Sequence, residues 1–436
     1  MKTVIVSFLV IIALSVFADE EICQRDQRHL EICRNSEVIT RVIHPENYDY
    51  VILDCYSNTT VGPNAFKNLN TWELQFVFVE QEPPLMLSIS PGSFAGIDYI
   101  FHLHIQYANI TYTGNPWSDL ARINEFKCEG CAFTKIPTDI LSSLPNLEKL
   151  ILDNNRIEVC PENAFIALNK LKYLDLSGEN GMTLESGCFN GLEKLQELKI
   201  NSNSFNLNPG VFNTFNNLPN LNMMGSFEDG VTLSDVFRTF PSLNDFALLH
   251  SNLTLEPEIF SGAQSLRQLR LLRNNITNIP KNVFQNLSSL ALLNLGENSI
   301  TTIEPGAFSG MKVFSLVISS IPTLQVIETG TFENLSVDLL NLSHCNISVI
   351  KPQAFNGLNA SWVDLENNTL TSIGPEDFAG MQTEILILAK NDLTEIAPDA
   401  FKKSTMKQLV LPARLLATAN KTTWGLPESV ILTSDE

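Results

Sequence analysis

A large apolar residue, almost always phenylalanine, returns every 23 to 25 residues along most of this 436-residue chain. The series runs through Ile140, Phe165, Phe189, Phe212, Phe237, Phe260, Phe284, Phe308, Phe332, Phe355, Phe378 and Phe401. A fixed period of this length is typical of a solenoid, in which no single turn buries its own apolar face and the turns must stack. The period therefore predicts a repeat architecture, and it directs the search for function towards a surface rather than a pocket.

A second pattern fills each interval and is clearest in the segment LRQLRLLRNNI at 266–276. Leu269 and Leu271 alternate with polar or variable residues, which is the period of a short strand with one buried face. Asn274 follows three residues later, and an inward amide there can satisfy backbone groups of neighbouring turns that would otherwise be buried unpaired. Ile276 is again aliphatic, and the phenylalanine of each copy is expected to pack the opposite wall.

Together these slots follow LxxLxLxxNxLxxIxxxxFxxL, and from about Tyr48 to Leu411 the chain resembles the extracellular leucine-rich repeat family. The resemblance implies an α/β-type solenoid, a right-handed curved horseshoe with a parallel β-sheet on its concave face. The convex face would be mostly irregular or built from short helices. We expect about 15 copies, which are irregular before residue 123.

Three copies depart from the pattern, and we expect irregular pleating in each of them. Segment 70–93 has no clean strand slot, segment 221–242 has Gly225 in mid-strand, and segment 314–336 has Pro322 in the asparagine slot.

The N-terminus has the features of a secretory signal peptide. Lys2 precedes an apolar run from Val4 to Phe17, and Ala18 supplies a cleavage site. An uncleaved anchor is the alternative, but the run is short for a membrane-spanning helix. The protein is therefore predicted to be secreted and extracellular, without membrane insertion.

The repeats are predicted to form one elongated domain between two caps. The predicted segments are a signal peptide at 1–18, a cysteine-containing cap at 19–47, repeats at 48–411, and a C-terminal cap and tail at 412–436. We expect Trp424 and Leu426 to cover the last repeat, with dimerisation through the open sheet edge as the alternative.

Glycosylation sequons support the secretory route. The eleven candidate sites are Asn58, Asn109, Asn252, Asn275, Asn286, Asn334, Asn341, Asn346, Asn359, Asn367 and Asn420. The formal net charge is −20 at pH 7. Such a surface repels nucleic acid and anionic membranes, so neither is expected as a partner.

Eight cysteines are present, and secretion permits disulfides among them. We expect Cys23 to pair with Cys33 in the N-terminal cap. Cys128-x-x-Cys131 could indicate redox or metal chemistry, but its residues fall in a strand slot and an asparagine slot, and the sequence offers no second ligand pair for zinc. Cys345 also occupies an asparagine slot and is predicted to be a buried free thiol.

The sequence lacks the motifs of a nucleophile elbow, a phosphate loop, an HExxH zinc site and a dinucleotide fingerprint. His102 and His104 lie two apart on a predicted strand and so share a face. We interpret them as two solvated imidazoles, with a metal site as the alternative. The chain is therefore predicted not to be an enzyme and to need no cofactor or metal.

Outward strand slots are free of packing demands, so they are the candidate partner-binding residues. These candidates are Lys149, Tyr173, Asp175, Lys199, Asp245, Arg267, Arg270, Arg273, Trp362, Asp364 and Ile385. The three arginines would gather on one strand and suit a carboxylate or phosphate, with charge balance against Asp245 as the alternative. Trp362 beside Ile385 would form an exposed apolar patch, with packing against the C-terminal tail as the alternative. A glycan on Asn341 would obstruct that region.

These features predict a secreted protein that binds another extracellular protein or a glycoconjugate non-covalently through its concave face. Copies such as EPGAFSGM and KPQAFNGL are similar to those of the non-catalytic leucine-rich subunit of the Oplophorus luciferin monooxygenase and its crustacean relatives. That resemblance implies association with a secreted oxygenase. A soluble innate-immune or receptor-like recognition module is the other alternative, and the oligomeric state stays open.

Overall fold

The computed structural model describes residues 3–6, 22–25, 30–43, 48–97, 99–179, 181–207, 210–215, 218–227 and 233–434. The chain divides into two compact units. Unit 1 covers residues 1–218 and 228–230, and unit 2 covers residues 219–227 and 231–436. Apart from Thr3–Val6, which forms a strand, the predicted signal peptide lies outside the described residues.

Unit 1 is built on a parallel sheet in which each strand pairs with the next copy along the chain. Its strands are Thr3–Val6, Tyr48–Cys55, Thr71–Phe78, His102–Gln106, Glu125–Glu129, Lys149–Ile151, Tyr173–Glu179 and Glu197–Leu207. We call this sheet, and its counterpart in unit 2, the main sheet. In strands His102–Gln106, Glu125–Glu129 and Lys149–Ile151, alternate side chains are buried, which leaves the other face to solvent.

Shorter strands and two helical turns complete unit 1. A second sheet consists of Ile22–Arg25, Glu31–Asn35, Val38–Ile43, Thr59–Val61, Leu85–Ile89 and Ala108–Tyr112. Its first three strands are antiparallel and the others join in parallel. The remaining elements are the strands Val159–Cys160 and Met182–Leu184, the 3₁₀ helix Pro116–Leu120 and the α-helix Thr138–Ser142.

Unit 2 repeats the same design, with ten strands in the described part of its main sheet, again paired in parallel. They are Asn220–Phe227, Asp245–Leu249, Gln268–Arg270, Leu292–Asn294, Lys312–Val317, Ser336–Asn341, Asn359–Asp364, Ile385–Ile387, Gln408–Leu411 and Ile431–Ser434. Two-residue strands form pairs on the opposite wall: Asn278–Ile279 with Thr302–Ile303, Val326–Ile327 with Val349–Ile350, and Ser372–Ile373 with Glu395–Ile396. The helices are Leu233–Thr239, Ala413–Leu416 and Lys421–Trp424.

The periodic phenylalanines form a stack of rings inside each unit. In unit 2 the centroids of successive rings from Phe260 to Phe401 lie 5.2 to 5.7 Å apart, with nearly parallel planes. In unit 1, Phe189 stacks on Phe165 at 6.3 Å and on Phe212 at 6.0 Å. Each ring fills the interior of its own turn and contacts the ring of the next turn. The regular spacing of the phenylalanines therefore produces a continuous stack of rings. The predicted parallel-sheet solenoid with few helices is confirmed in each unit.

All three weak copies form strands. Strands Thr71–Phe78, Asn220–Phe227 and Lys312–Val317 all join the main sheets, because neighbouring strands impose the ladder even where the side-chain pattern is poor. In segment 314–336, the asparagine slot holds the fully buried Ile321 rather than Pro322. A register shift also occurs between Leu176 and Glu179.

The C-terminal segment continues unit 2. Trp424 and Leu426 are both 5% exposed, and strand Ile431–Ser434 pairs in parallel with Gln408–Leu411. Asn420 caps the N-terminus of helix Lys421–Trp424, because its Oδ1 accepts the backbone N–H of Thr423 at 3.0 Å. The segment therefore adds one more strand to the sheet beyond the last phenylalanine copy.

Candidate functional site

The solvent face of each main sheet is a set of rows, because equivalent residues of successive strands lie opposite one another. In unit 1 one row runs Glu73, His102, Glu125, Lys149, Tyr173. In unit 2 the corresponding row includes Leu292, Ser315, Leu339, Trp362 and Ile385. The unit 1 row is rich in ionisable side chains and this stretch of the unit 2 row is mainly apolar, so the two stretches offer different chemistry.

A carboxylate–imidazole network occupies the unit 1 row, and Glu73 is its most buried member at 5% exposed. Glu73 Oε1 lies 2.8 Å from His104 Nδ1, and Glu73 Oε2 lies 3.4 Å from His102 Nδ1. On the other side, His104 Nε2 and Lys149 Nζ lie 3.1 and 3.0 Å from the same Oε1 of Glu125. The interpretation of two solvated imidazoles was therefore wrong, because both rings are held by a buried carboxylate.

The network shifts the pKa values of its members in opposite directions. Burial alone would raise the pKa of Glu125, but hydrogen bonds from His104 and Lys149 lower it to about 2. Burial opposes the charge on Glu73 as well, and its bonds to the two histidines hold its pKa far below the ordinary value. Burial would lower the pKa of His104, and bonds to Glu125 and Glu73 raise it instead. The paired charges are therefore a stabilising arrangement in this sheet.

Sequence reasoning missed Glu73 because segment 70–93 was read as lacking a strand. The segment TWELQFVF does alternate, and it places Glu73 on the face that His102 and His104 share. It also places Trp72 at the surface, 50% exposed, with its ring centroid 4.5 Å from that of Phe101. The alternation of Trp, Leu and Phe around Glu73 was the signal that could have found this strand.

Four predicted residues form one cluster at the end of this row. The ammonium groups of Lys149 and Lys199 lie 5.6 and 5.1 Å from the ring centroid of Tyr173, which is within cation–π range. The Tyr173 hydroxyl donates a hydrogen bond to Asp175 Oδ2 at 3.0 Å. The ring is thus held between two cations and a carboxylate.

The predicted arginine cluster was wrong. Only Arg270 belongs to strand Gln268–Arg270; Arg267 precedes it, and Arg273 lies in the following turn with a φ of 56°. Arg270 Nη1 lies 2.7 Å from Asp245 Oδ1, and Arg273 is paired in the same way with Glu297 at 2.7 Å. The alternative of charge balance with Asp245 describes Arg270 better, since a three-residue strand is too short to carry all three side chains on one face.

An apolar patch lies on the solvent face of the unit 2 main sheet. Trp362 is directly opposite Leu339 on one side and Ile385 on the other, and it is 49% exposed. The C-terminal segment therefore does not bury this ring, which was the alternative reading. Asp364 lies one row away and is partly buried, and burial raises its pKa. We call Leu339, Trp362 and Ile385 the Trp362 patch.

None of the eleven sequon asparagines is buried. Nine are exposed, and Asn286 and Asn341 are half-buried. Asn341 lies directly opposite Asp364, and its Oδ1 accepts hydrogen bonds from the backbone N–H and the hydroxyl of Ser343 at 2.9 and 2.7 Å. A glycan on Asn341 would therefore begin one row from the Trp362 patch.

Two disulfides are present within the described residues. Cys23 pairs with Cys33 across antiparallel strands, as expected from the sequence. Cys128 pairs with Cys131, so this pair is a buried crosslink between the strand slot and the asparagine slot. Among the described residues, the one group close enough to ligate a metal is Cys23, Glu31 and Cys33, and its two sulfurs are already bonded to each other.

Comparison with known proteins agrees with this architecture. A family model described as "Leucine rich repeat" matches residues 129–182, 145–205, 264–320 and 336–393. Keratocan from Coturnix japonica is 26% identical over 260 residues, which cover 55% of this chain and 70% of keratocan. Toll-like receptor 4 from Bos taurus is 37% identical over 83 residues, covering 18% of this chain and 10% of the receptor.

Solved structures share the fold at low identity. Drosophila Toll, in its glycosylated complex with Spatzle, matches with a TM-score of 0.61 and 17% identity, over 95% of this chain and 58% of Toll. Mouse RP105, in complex with MD-1, matches with a TM-score of 0.53 and 20% identity, over 84% of this chain and 59% of the other. This chain thus spans less than two thirds of those chains. The repeats, the parallel sheets and these matches show that the chain has a leucine-rich repeat fold, similar to that of the matched proteins.

In the described part of the chain, no helix has the length and apolar character needed to cross a membrane.

Proposed function

We propose that this protein is a secreted, non-catalytic leucine-rich repeat protein that binds another extracellular protein through the solvent face of its main sheet. The observation that carries the proposal is the Trp362 patch, where a half-exposed indole lies between two aliphatic side chains. Exposed tryptophan within an apolar surface is the composition of a protein-binding hot spot. Toll in complex with Spatzle and RP105 in complex with MD-1 share this fold, which supports a protein as the partner.

Sheet geometry explains why this patch suits binding. The side chains of Leu339, Trp362 and Ile385 come from three strands that are locked in register, so little side-chain or backbone freedom is lost when a partner docks. Half-buried Asp364 borders the patch on the same face. We therefore expect a partner segment with an apolar anchor residue and a neighbouring basic residue.

Secretion and glycosylation belong to the same proposal. The exposure of the sequon asparagines, the Cys23–Cys33 disulfide and the signal-like N-terminus support an extracellular location. Association with a secreted oxygenase, or recognition in innate immunity, would be specific forms of this binding function.

Photo-crosslinking in the native secretion tests the proposal. A photoreactive residue replaces Ile385 in the full-length protein, and crosslinked peptides are sequenced by mass spectrometry. We expect a crosslinked protein partner that is lost in Trp362→Glu and retained in Trp72→Glu, a matched control because Trp72 is 50% exposed in unit 1. Crosslinks that survive Trp362→Glu, or that disappear equally with Trp72→Glu, would overturn the assignment of this patch.

The identity of the crosslinked partner separates the specific forms of the function. A small secreted oxidase would support the enzyme-subunit form, and a signalling or microbial ligand would support the recognition form.

A further inference from the structure

Two thiols that the proposed binding surface does not use lie together inside unit 1. Cys160 and Cys188 belong to consecutive turns, and both are 0% exposed. Strand Val159–Cys160 pairs with Met182–Leu184, which places Cys160 opposite Leu184. The backbone N–H of Glu185 donates to the Cys160 carbonyl at 3.1 Å, and the N–H of Cys188 donates to the Glu185 carbonyl at 3.0 Å. These bonds bring Cys188 next to Cys160, close enough for each thiol to influence the other.

The same two slots are occupied differently in other turns. Ile136 and Ala164, one turn earlier, are separated by the same 28 residues, as are Ile279 and Ala307 in unit 2. All four of these residues are buried, so an aliphatic side chain and a methyl group fill the slots adequately. Filling these two slots therefore does not require a cysteine side chain. The joint appearance of cysteine in both contacting slots of one pair of turns needs a different explanation.

We propose that Cys160 and Cys188 are a disulfide site that links two consecutive turns of the solenoid in an oxidising compartment. That the compartment is oxidising rests on the proposed extracellular function. The juxtaposition of the two thiols does not depend on that function. The two thiols lose their protons, a sulfur–sulfur bond forms between them, and two electrons pass to a small disulfide oxidant such as oxidised glutathione. The bond of that oxidant breaks and its sulfurs leave as two thiols, so the exchange balances.

The surroundings indicate when the bond forms. Burial, followed by the contact with Cys188, raises the pKa of the Cys160 thiol, so the reactive thiolate is scarce once the turn has packed. Exchange is therefore expected during folding, while the thiols are still accessible. Once formed, the crosslink restricts the unfolded chain and stabilises unit 1.

The remaining free cysteines provide internal controls. Cys55 and Cys345 are buried in separate parts of the chain, and burial raises the pKa of each thiol to about 11. Cys345 donates to the Ile318 carbonyl at 3.3 Å, which accounts for its place in an asparagine slot. Neither is proposed to form a bond.

Peptide mapping without reduction tests the site directly. The purified full chain is folded in a buffer of oxidised and reduced glutathione, unfolded in guanidinium with iodoacetamide, and digested for mass spectrometry. We expect a linked pair of peptides containing Cys160 and Cys188, two hydrogens lighter than their sum, with Cys55 and Cys345 alkylated. The proposal would be overturned if Cys160 and Cys188 were alkylated to the same extent as Cys345. It would also be overturned if these cysteines were linked only between two copies of the chain.

A packing-matched variant tests the stabilising effect. The double variant Cys160→Ile with Cys188→Ala copies the pair found one turn earlier and so keeps the core filled. We expect the wild type to melt several degrees above this variant in oxidising buffer, and the difference to disappear when a phosphine reductant is present in both samples. Cys345→Ser is the control, with a shift that is the same in both buffers. A difference that does not depend on the reductant contradicts the crosslink. Neither readout involves a binding partner, so failure here is distinct from failure of the proposed function.

Discussion

The backbone N–H of Asn274 donates a hydrogen bond to the side-chain Oδ1 of Asn298 in the next turn, at 2.9 Å. In return, Asn298 Nδ2 donates to the Leu271 carbonyl of the preceding turn at 2.8 Å. Asn274 repeats the arrangement, since its Nδ2 donates to the Leu248 carbonyl at 2.7 Å. Both asparagines are buried, at 0% and 4% exposed. The amides therefore form a ladder that satisfies the backbone where each turn leaves the main sheet.

Asn274→Ala is expected to destabilise unit 2 by about 1–3 kcal/mol, because it leaves buried backbone groups without partners. The measurement is the shift in the urea midpoint of the full chain, followed by circular dichroism. Gln285→Ala is the control, an exposed amide in the same repeat that should shift the midpoint little. Equal midpoints for the two variants would refute the ladder.

Phe332→Ala is expected to cost about 3–5 kcal/mol, because a fully buried ring is lost from the stack. Its centroid lies 5.7 Å from that of Phe308 and 5.3 Å from that of Phe355, so both neighbours lose contacts. Phe314→Ala is the matched control, since that ring is 65% exposed. Thermal melting of both variants tests whether a phenylalanine lies in the core because of its place in the repeat or only because it is apolar. Similar losses of stability in the two variants would favour apolarity alone.

The histidine network should make stability depend on pH. The raised pKa of His104 means that its pairing contributes fully below the unfolded value of 6.5 and is lost as pH rises through the folded value. Glu125, lowered from 4.5 to about 2, contributes above 4.5 and is lost as pH falls towards about 2. The pKa of Glu73 is also lowered, so its contribution to stability has the same pH dependence as that of Glu125. The network is therefore fully stabilising only between pH 4.5 and 6.5.

His104→Gln should lower the melting temperature most at a pH near the centre of that window and least in mild alkali. Differential scanning fluorimetry from the centre of that window to mild alkali gives the difference in melting temperature between wild type and variant at each pH. A difference that stays constant, or that grows with rising pH, would show that His104 is not charged in the folded network.

The pair Arg270–Asp245 should contribute modestly, because the two side chains are 37% and 27% exposed. We expect Arg270→Glu to cost about 0.2–1 kcal/mol through loss of the pair, and the swap with Asp245→Lys to recover most of it. Arg267→Glu is the control, an exposed position before the strand. Urea midpoints at low and high salt provide the measurement. No recovery in the swapped variant would mean that the two charges are not coupled.

Much of the fold could be predicted from the sequence, because repetition makes each slot visible several times. Asn274 and Asn298 were placed in the ladder by their spacing from the strand leucines, and the structure confirms both. Segment 70–93 could not be placed, because a single irregular copy carries little pattern of its own. Its strand exists because the flanking strands pair with it over several residues.

Sequence spacing also placed Lys149, Tyr173 and Trp362 on the solvent face, where the structure has them. It could not separate Arg270 from Arg267 and Arg273, because the strand is only three residues long and its ends depend on neighbouring turns.

By itself, the sequence determined the solenoid, the ladder and the packing of the phenylalanines, since these follow from interactions repeated at one spacing. Only the tertiary structure decided which side chains meet across turns. It paired Glu73 with His102 and His104, and it brought Cys160 to Cys188. It also left Trp362 half exposed. The physical reason is that such contacts join residues about one turn apart, and a shift of a single position in one turn changes which side chains face each other.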